Sequence, residues 1–400
     1  RGPDILYLGN WAMPGARKAM SRVTQAMSGS AGLFFGPKRR GIIALTLLLG
    51  VGLAMGRASA QEASGGWAFT SLPMADLWFH GMALVDPIGP GPNPLYDPRY
   101  PNLVRREKEA AGGAPTGLDV RLGYFREAFR RDPAFEVLHF LPLYFPQAAR
   151  PEVFMALTLL SETEEGLPRA TSARTSFGTA AVGSVLTTRE QRKILGEFVT
   201  ALEDEWTGFF QAYWQGAAGQ RGQLQNVLRD VWGSHYESSL TPFLNGMGMP
   251  GGLVAMVPAI GVEGRIFGGN PQDPLDNVLV VSAPAGPEDG VEVVFSMIRE
   301  LSFPLVRQVM DEAGVTEGNR DEEESLAARA AIRSGALILE MLSPNDVVAC
   351  QRFFLTQAGR SAPEGEAIEA TFGETFPLSA ALEEALRERI FITVNNGGVG

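Results

Sequence analysis

A chain of 400 residues, 45% of them hydrophobic, is long enough to bury a large core in one or two domains. Its net charge of -11 argues against nucleic acid or an anionic membrane surface as a partner. The single cysteine, Cys350, excludes an internal disulfide, so stability must come from ordinary packing.

The first informative segment is basic, Lys38-Arg39-Arg40, and is followed by an apolar run from Ile42 to Met55. That run is shorter than the roughly 20 residues a membrane span needs. It ends at Ala58-Ser59-Ala60, and basic region, apolar core and small-residue site follow the order of a secretory signal. The expectation is export, to the periplasm or outside the cell, with cleavage after Ala60 and no stable membrane span afterwards. Residues 1–60 carry eight Lys or Arg against one Asp, so the remainder is close to -18. Residues 61–400 then form one α+β globular domain.

Trp67 to Val85 is apolar and aromatic and predicts a helix; the Pro/Gly run from Pro87 to Pro92 predicts a loop. Leu118, Leu122, Phe125 and Phe129 keep helical spacing. Asp132-Pro133 predicts a cap with proline in the first turn of a helix bearing Phe135, Leu138 and His139. The continuous apolar run Val153 to Leu160 predicts a buried strand. Thr187-Thr188-Arg189-Glu190 has capping-box spacing and opens a long helix with Leu195, Phe198, Leu202, Trp206, Phe209 and Tyr213 on one face. Two more helical stretches follow, near Leu224 to Val231 and Tyr236 to Leu244.

Three short strands are predicted at Leu253 to Val257, Gly264 to Phe267 and Val278 to Ser282, in a small, mainly antiparallel sheet. Helices follow over Val291 to Met310, Glu322 to Leu342 and Asn345 to Thr356. Cys350 reads as a small core residue of the last of these. A final helix starts after its cap Ser379, and Phe391 to Val394 predicts a last strand.

Phosphate-binding, dinucleotide and nucleophile-elbow motifs are absent, and no cofactor is implied. His80, His139 and His235 are far apart in sequence and read singly as structural or surface residues. The informative segment is Arg299-Glu300-Leu301-Ser302-Phe303, set in an apolar helix and followed by Pro304. It resembles the H-E-x-x-H helix of zinc metallopeptidases, most closely an H-E-F-S-H form from an uncharacterised gluzincin-like family. The resemblance covers residues 150–345 loosely and leaves 67–150 as a helical N-terminal part. It implies a zincin-like fold, with Glu300 at the position of the water-activating glutamate.

Arg299 and Phe303 stand where the two histidines belong. Arginine cannot ligate zinc and phenylalanine has no donor atom, so no metal is expected. The third ligand of the family is a glutamate on a second helix, and Glu322-Glu323-Glu324 lies at about that distance. The resemblance therefore implies a degenerate cleft of Arg299, Phe303, Glu323 and Glu324, with Arg299 pairing Glu324 or Glu323 in place of zinc. Such a protein would bind or scaffold, with a peptide or protein as its unnamed partner. Two alternatives stay open: a secreted hydrolase using Glu300 with His235 or His80, or a secreted protein unrelated to zincins. The three glutamates also suit a solvated helix N-terminus with no further role.

Overall fold

The computed structural model describes residues 66–89, 94–145, 148–162, 173–267, 277–315, 320–365 and 367–398. The segment read as a secretory signal, its cleavage site and residues 90–92 of the predicted loop lie outside the described residues.

Strand β1 (Trp67–Thr70) leads into helix α1 (Pro73–Val85). The single helix expected from Trp67 is thus a strand and a helix. Pro73 is the reason: it lacks an N–H and clashes with a preceding turn, so it is tolerated only in a first turn, where it sits here. Helices α2 (Tyr100–Ala111) and α3 (Gly117–Arg131) follow. A 3₁₀ segment, Pro133–Phe140, is capped as expected, with Asp132 accepting from the Ala134 N–H at 3.0 Å.

Helix α4 (Arg150–Glu162) replaces the strand expected at Val153 to Leu160. Its run is rich in Leu, Ala and Met, which favour helix. Val153, Leu157 and Leu160 are buried while Met155 and Leu159 are exposed, a helical and not an alternating pattern.

After α5 (Ala173–Val185), the long helix α6 (Arg189–Glu205) continues through a π-helical turn, Trp206–Phe210, to Gly216. Its capping box is built by Thr188 and Gln191, one residue later than the Thr187 to Glu190 spacing suggested. Helix α7 (Ala218–Val231) likewise runs through a π-helical turn, Trp232–Tyr236, into Glu237–Gly246.

Strands β2 (Gly252–Val257), β3 (Arg265–Phe267) and β4 (Val278–Ser282) complete a sheet of order β1-β2-β4-β3. The three predicted strands are present. The sheet is mainly parallel, however: β1/β2 and β2/β4 are parallel, and only β3/β4 is antiparallel. Short connections suggest a meander, and the parallel partner β1, almost two hundred residues earlier, is hidden in a segment whose composition suits a helix.

Helices α8 (Gly290–Glu312), α9 (Arg320–Leu342), α10 (Val347–Gln357), α11 (Ala367–Thr375) and α12 (Ala380–Gly397) follow. Ser379 caps α12 as expected. The last strand expected at Phe391 to Val394 is helix instead. Leu382, Leu386, Ile390 and Thr393 are buried at helical spacing, while Phe391 and Ile392 face outward, so the apolar run there straddles two faces.

The sheet is the middle of three layers, which is α+β with the helices dominating. Val254, Met256, Leu279 and Val281 pack into a core made by the C-terminal helices with Cys350 inside it. Ala255, Val257, Val278 and Val280 face a second core made by the N-terminal helices. Alternation across the pleat therefore feeds both cores from the same strands, which is why β2 is buried throughout. Helices as late as α6 share the N-terminal core with residues 74–145. The two halves thus meet at the sheet, and position 150 marks no break. No helix among the described residues is long and apolar enough to cross a membrane.

Candidate functional site

The motif helix α8 lies against the sheet and is almost entirely buried. Arg299 and Glu300, 2% and 0% exposed, are among its most enclosed residues. Two buried charges on consecutive positions need partners, and these come from the connection between β2 and β3 and from the first residue of β3. Arg299 Nη2 donates to Glu263 Oε1 at 3.0 Å, and Nη1 donates to Glu300 Oε1. Arg265 Nη1 reaches Glu263 Oε2 at 3.3 Å and the Gly264 carbonyl at 2.7 Å, and its guanidinium lies over the Phe140 ring. The result is a buried quartet of two arginines and two glutamates whose formal charges cancel.

Gly264 makes this approach possible. A Cβ there would collide with the Val280 carbonyl oxygen and lie 3.0 Å from Glu300 Cγ. Burial works against the Arg299 charge, but Glu263 and Glu300 outweigh it and its pKa is raised. Burial pushes the Glu300 carboxyl up to about 7, against the pull of Arg299 and Arg265, and its Oε2 has no hydrogen-bond partner.

Above the quartet is an open cavity of about 560 Å³ whose lining includes Tyr96, Glu263, Glu292, Ser296, Arg299 and Phe353. Glu292, Ser296 and Arg299 follow one another along one face of α8. Glu300 is not part of the lining. The structure thus places Arg299 at the base of a cleft and turns Glu300 inward.

Glu323 and Glu324 are elsewhere. They pair with Arg307, Glu323 at 3.0 Å and Glu324 through Arg307 Nη2, at the end of the helix pair next to its connection and away from Arg299. Phe303 is core, 3% exposed, with the Arg307 guanidinium 5.2 Å from its ring centre. The expected pairing of Arg299 with Glu324 or Glu323 is therefore replaced by Arg299 with Glu263 and Glu300. The reason is the register of an antiparallel helix hairpin. Helices α8 and α9 run antiparallel, so residues close to the connection face each other and residues far from it face residues equally far. Ser302 Oγ reaches the Ala331 carbonyl at 3.3 Å, and a Cβ on Gly335 would lie 3.6 Å from Arg299 Cα. Arg299 is thus level with Gly335, and Glu324 is level with Arg307.

This register has a direct consequence. Restoring histidines with Arg299→His and Phe303→His supplies two ligands, but α9 carries no His, Cys, Asp or Glu between Ser325 and Leu339 to supply a third. The double variant is expected to retain well under one equivalent of zinc after dialysis, measured by elemental analysis. Near-stoichiometric zinc would mean that a ligand from another element completes the site. No group of three or more His, Cys, Asp or Glu side chains placed to hold a metal is found among the described residues.

The histidines do not join Glu300. His80 is fully buried in the N-terminal core, bonded through Nε2 to Glu205 at 2.8 Å and through Nδ1 to the Tyr100 hydroxyl at 3.0 Å. Lys108 Nζ lies 2.8 Å from the same carboxylate, and the Thr116 hydroxyl donates to it as well. The π-helical turn after Glu205 brings Phe209 and Phe210 against the His80 ring. His139 bonds the Tyr96 hydroxyl at 2.7 Å through Nδ1 and Asp86 at 3.2 Å through Nε2. His235 is exposed on the second π-helical turn.

Sequence reading missed Glu263 and Arg265. A signal was present: two opposite charges two residues apart, hence on one face, entering a strand otherwise built of apolar residues. No family model, curated protein or solved structure matches the chain.

Proposed function

We propose that this is an exported binding or scaffolding protein with a degenerate zincin-like fold, without zinc peptidase activity, and that the cavity over α8 is its binding site. The observation that carries the reading is the guanidinium of Arg299, locked by two carboxylates at the base of that cavity. A group that is always protonated and already hydrogen-bonded cannot ligate a metal. The zincin-like part of the reading is supported by a motif helix that follows short strands and packs antiparallel against a second helix. The hydrolase alternative would need Glu300 to reach a substrate, but Glu300 is outside the cavity lining. His80 is engaged in the other core and His235 is exposed away from it.

The cavity is large enough for several side chains, and its lining mixes apolar, aromatic and charged groups, as a peptide site does. Selection of a displayed random-peptide library on the protein is expected to enrich sequences that are lost on a Ser296→Phe variant, which fills the cavity. Enrichment no better than background, or equal enrichment on a variant that melts normally, would remove the binding reading. Export is tested separately. The released protein is expected to begin at Gln61, and a soluble product that retains residues 38–57 would overturn the export proposal.

A further inference from the structure

Helix α12 buries Leu382, Leu386, Ile390 and Thr393 against the core and still carries Phe391 and Ile392 outward, 57% and 43% exposed. A lone exposed apolar residue needs no account. These two do not stand alone. A cleft of about 160 Å³ opens between α9 and α12, with Leu337, Met341 and Ile390 supplying its apolar lining and Glu340 and Arg387 its charges. Phe391 follows Ile390 directly and comes one helical turn after Arg387, so its exposed ring stands at the edge of this cleft. An apolar space of about 150 Å³ can hold a benzene ring. The cleft therefore has room for one phenyl group.

The face thus carries an apolar knob and an apolar socket side by side. It also carries both signs of charge. Glu340 and Arg387 pair at 3.2 Å, yet each side chain stays about half exposed and open to a further partner. A twofold contact between identical copies demands such a face. Each copy presents the same surface, so every protruding or charged feature must find its complement within that one patch. A patch of one curvature or one sign would reject its own copy. The net charge of -11 makes copies of this chain repel one another in general. Glu384 and Glu388 are also exposed on α12, which makes Arg387 the cation that an approaching copy has to meet.

We infer that the α9/α12 face is the interface of a symmetric homodimer. Phe391 of each copy enters the cleft of the other, and Arg387 of each copy meets Glu340 of the other. None of these residues lines the cavity over α8, so the inference is independent of what that cavity binds.

The test is sedimentation equilibrium of the full mature protein over about 1 to 100 μM. The mass is expected to rise with concentration toward that of two chains. Phe391→Asp is expected to weaken association at least about tenfold. Val120→Asp is the contrast: Val120 is 75% exposed on α3, in the opposite layer, and its replacement is expected to leave association unchanged. The charge pair gives the decisive arm. Glu340→Arg sets Arg against Arg across the twofold, and Arg387→Glu sets Glu against Glu, so each variant alone is expected to associate more weakly than wild type. An equimolar mixture of the two is expected to recover association, because every crossed contact then joins Arg to Glu. A role for the pair confined to one chain would produce no such recovery. The inference is overturned by a wild-type protein that stays monomeric at the highest concentration, by a Phe391→Asp variant that associates like wild type, or by a mixture no better than its components.

Discussion

Arg299→Ala is expected to destabilise the protein by about 3–5 kcal/mol, the usual cost of breaking a buried charge pair from one side. The substitution removes a group that is bonded to both Glu263 and Glu300. Glu300 would then be a fully buried carboxyl that has lost its Arg299 donor, while Glu263 would keep its contact with Arg265. Part of the loss would be softened by Glu300 taking a proton, since burial already pushes its carboxyl up to about 7. The measurement is urea denaturation at pH 7.5, where an ionised Glu300 is most exposed to the loss. Glu263→Gln is expected to cost less, because Glu300 would still compensate Arg299. A loss below about 1 kcal/mol for Arg299→Ala is what an exposed pair would give, and it would show that the quartet is not a buried charge network in solution. The chain with Glu324→Gln serves as the contrast. Glu324 is about a third exposed and shares Arg307 with Glu323, so its loss is expected within the range of surface pairs.

Glu205→Ala is expected to be of similar size, about 3–5 kcal/mol, and to change the acid limb of the stability profile. Glu205 is fully enclosed where α6 passes α1, and it receives His80, Lys108 and Thr116 together. Burial alone would raise its pKa, but the His80 and Lys108 contacts prevail and bring it down to about 2. The sign follows from linkage. A carboxyl whose folded pKa lies below its unfolded value contributes stability that is complete above the unfolded value near 4.5. That contribution is lost as pH falls from about 4.5 to about 2. A depression of that size corresponds to roughly 3 kcal/mol. Asp76 acts with the opposite sign. Its carboxyl accepts from the Trp214 indole N–H at 2.7 Å, its other oxygen has no partner, and burial pushes it up to about 7. Its contribution is complete below the unfolded value and is lost as pH rises through about 7. On these two groups the wild-type protein is therefore expected to be most stable at about pH 4, where the Glu205 contribution is largely present and the Asp76 contribution has only begun to fall. Glu205→Gln should flatten the acid side, and Asp76→Asn should flatten the neutral side. Thermal melts across about pH 2.5 to 8.5 read both limbs, and an acid limb unchanged by Glu205→Gln would refute the assignment.

What was legible in the sequence was local. Capping chemistry placed the starts of the helices at Asp132, Thr188 and Ser379 to within a residue, because a side-chain oxygen two or three positions ahead of an orphan N–H acts over a few ångströms of contiguous chain. Strands 252–257, 265–267 and 278–282 were legible because glycine and proline punctuate them closely. Hydrophobic spacing identified α6, α8 and α9, and it marked Cys350 as core. Apolar runs without punctuation were ambiguous. Val153 to Leu160 and Phe391 to Val394 suited a strand or a helix equally by composition, and only burial on a helical face resolved them.

The α+β class and the position of Arg299 and Glu300 on an apolar helix were thus in the sequence. Their partners were not. Charge neutrality of a buried pair is a non-local requirement, and several segments could have met it: Glu322 to Glu324 were the nearest acids on a suitable helix, while Glu263 and Arg265 sat at a strand entry with no motif of their own. The antiparallel register of α8 and α9 decided the matter by setting Arg299 level with Gly335 and carrying Glu323 and Glu324 away to Arg307. The parallel pairing of β1 with β2 brought the N-terminal helices onto the opposite face of the sheet. The sequence by itself determined the local elements and set Arg299 and Glu300 on an apolar helix; the packing of helix on helix and strand on strand decided which charges are buried and which of them meet, because side-chain contacts at such separation depend on register and sheet order rather than on any spacing along the chain.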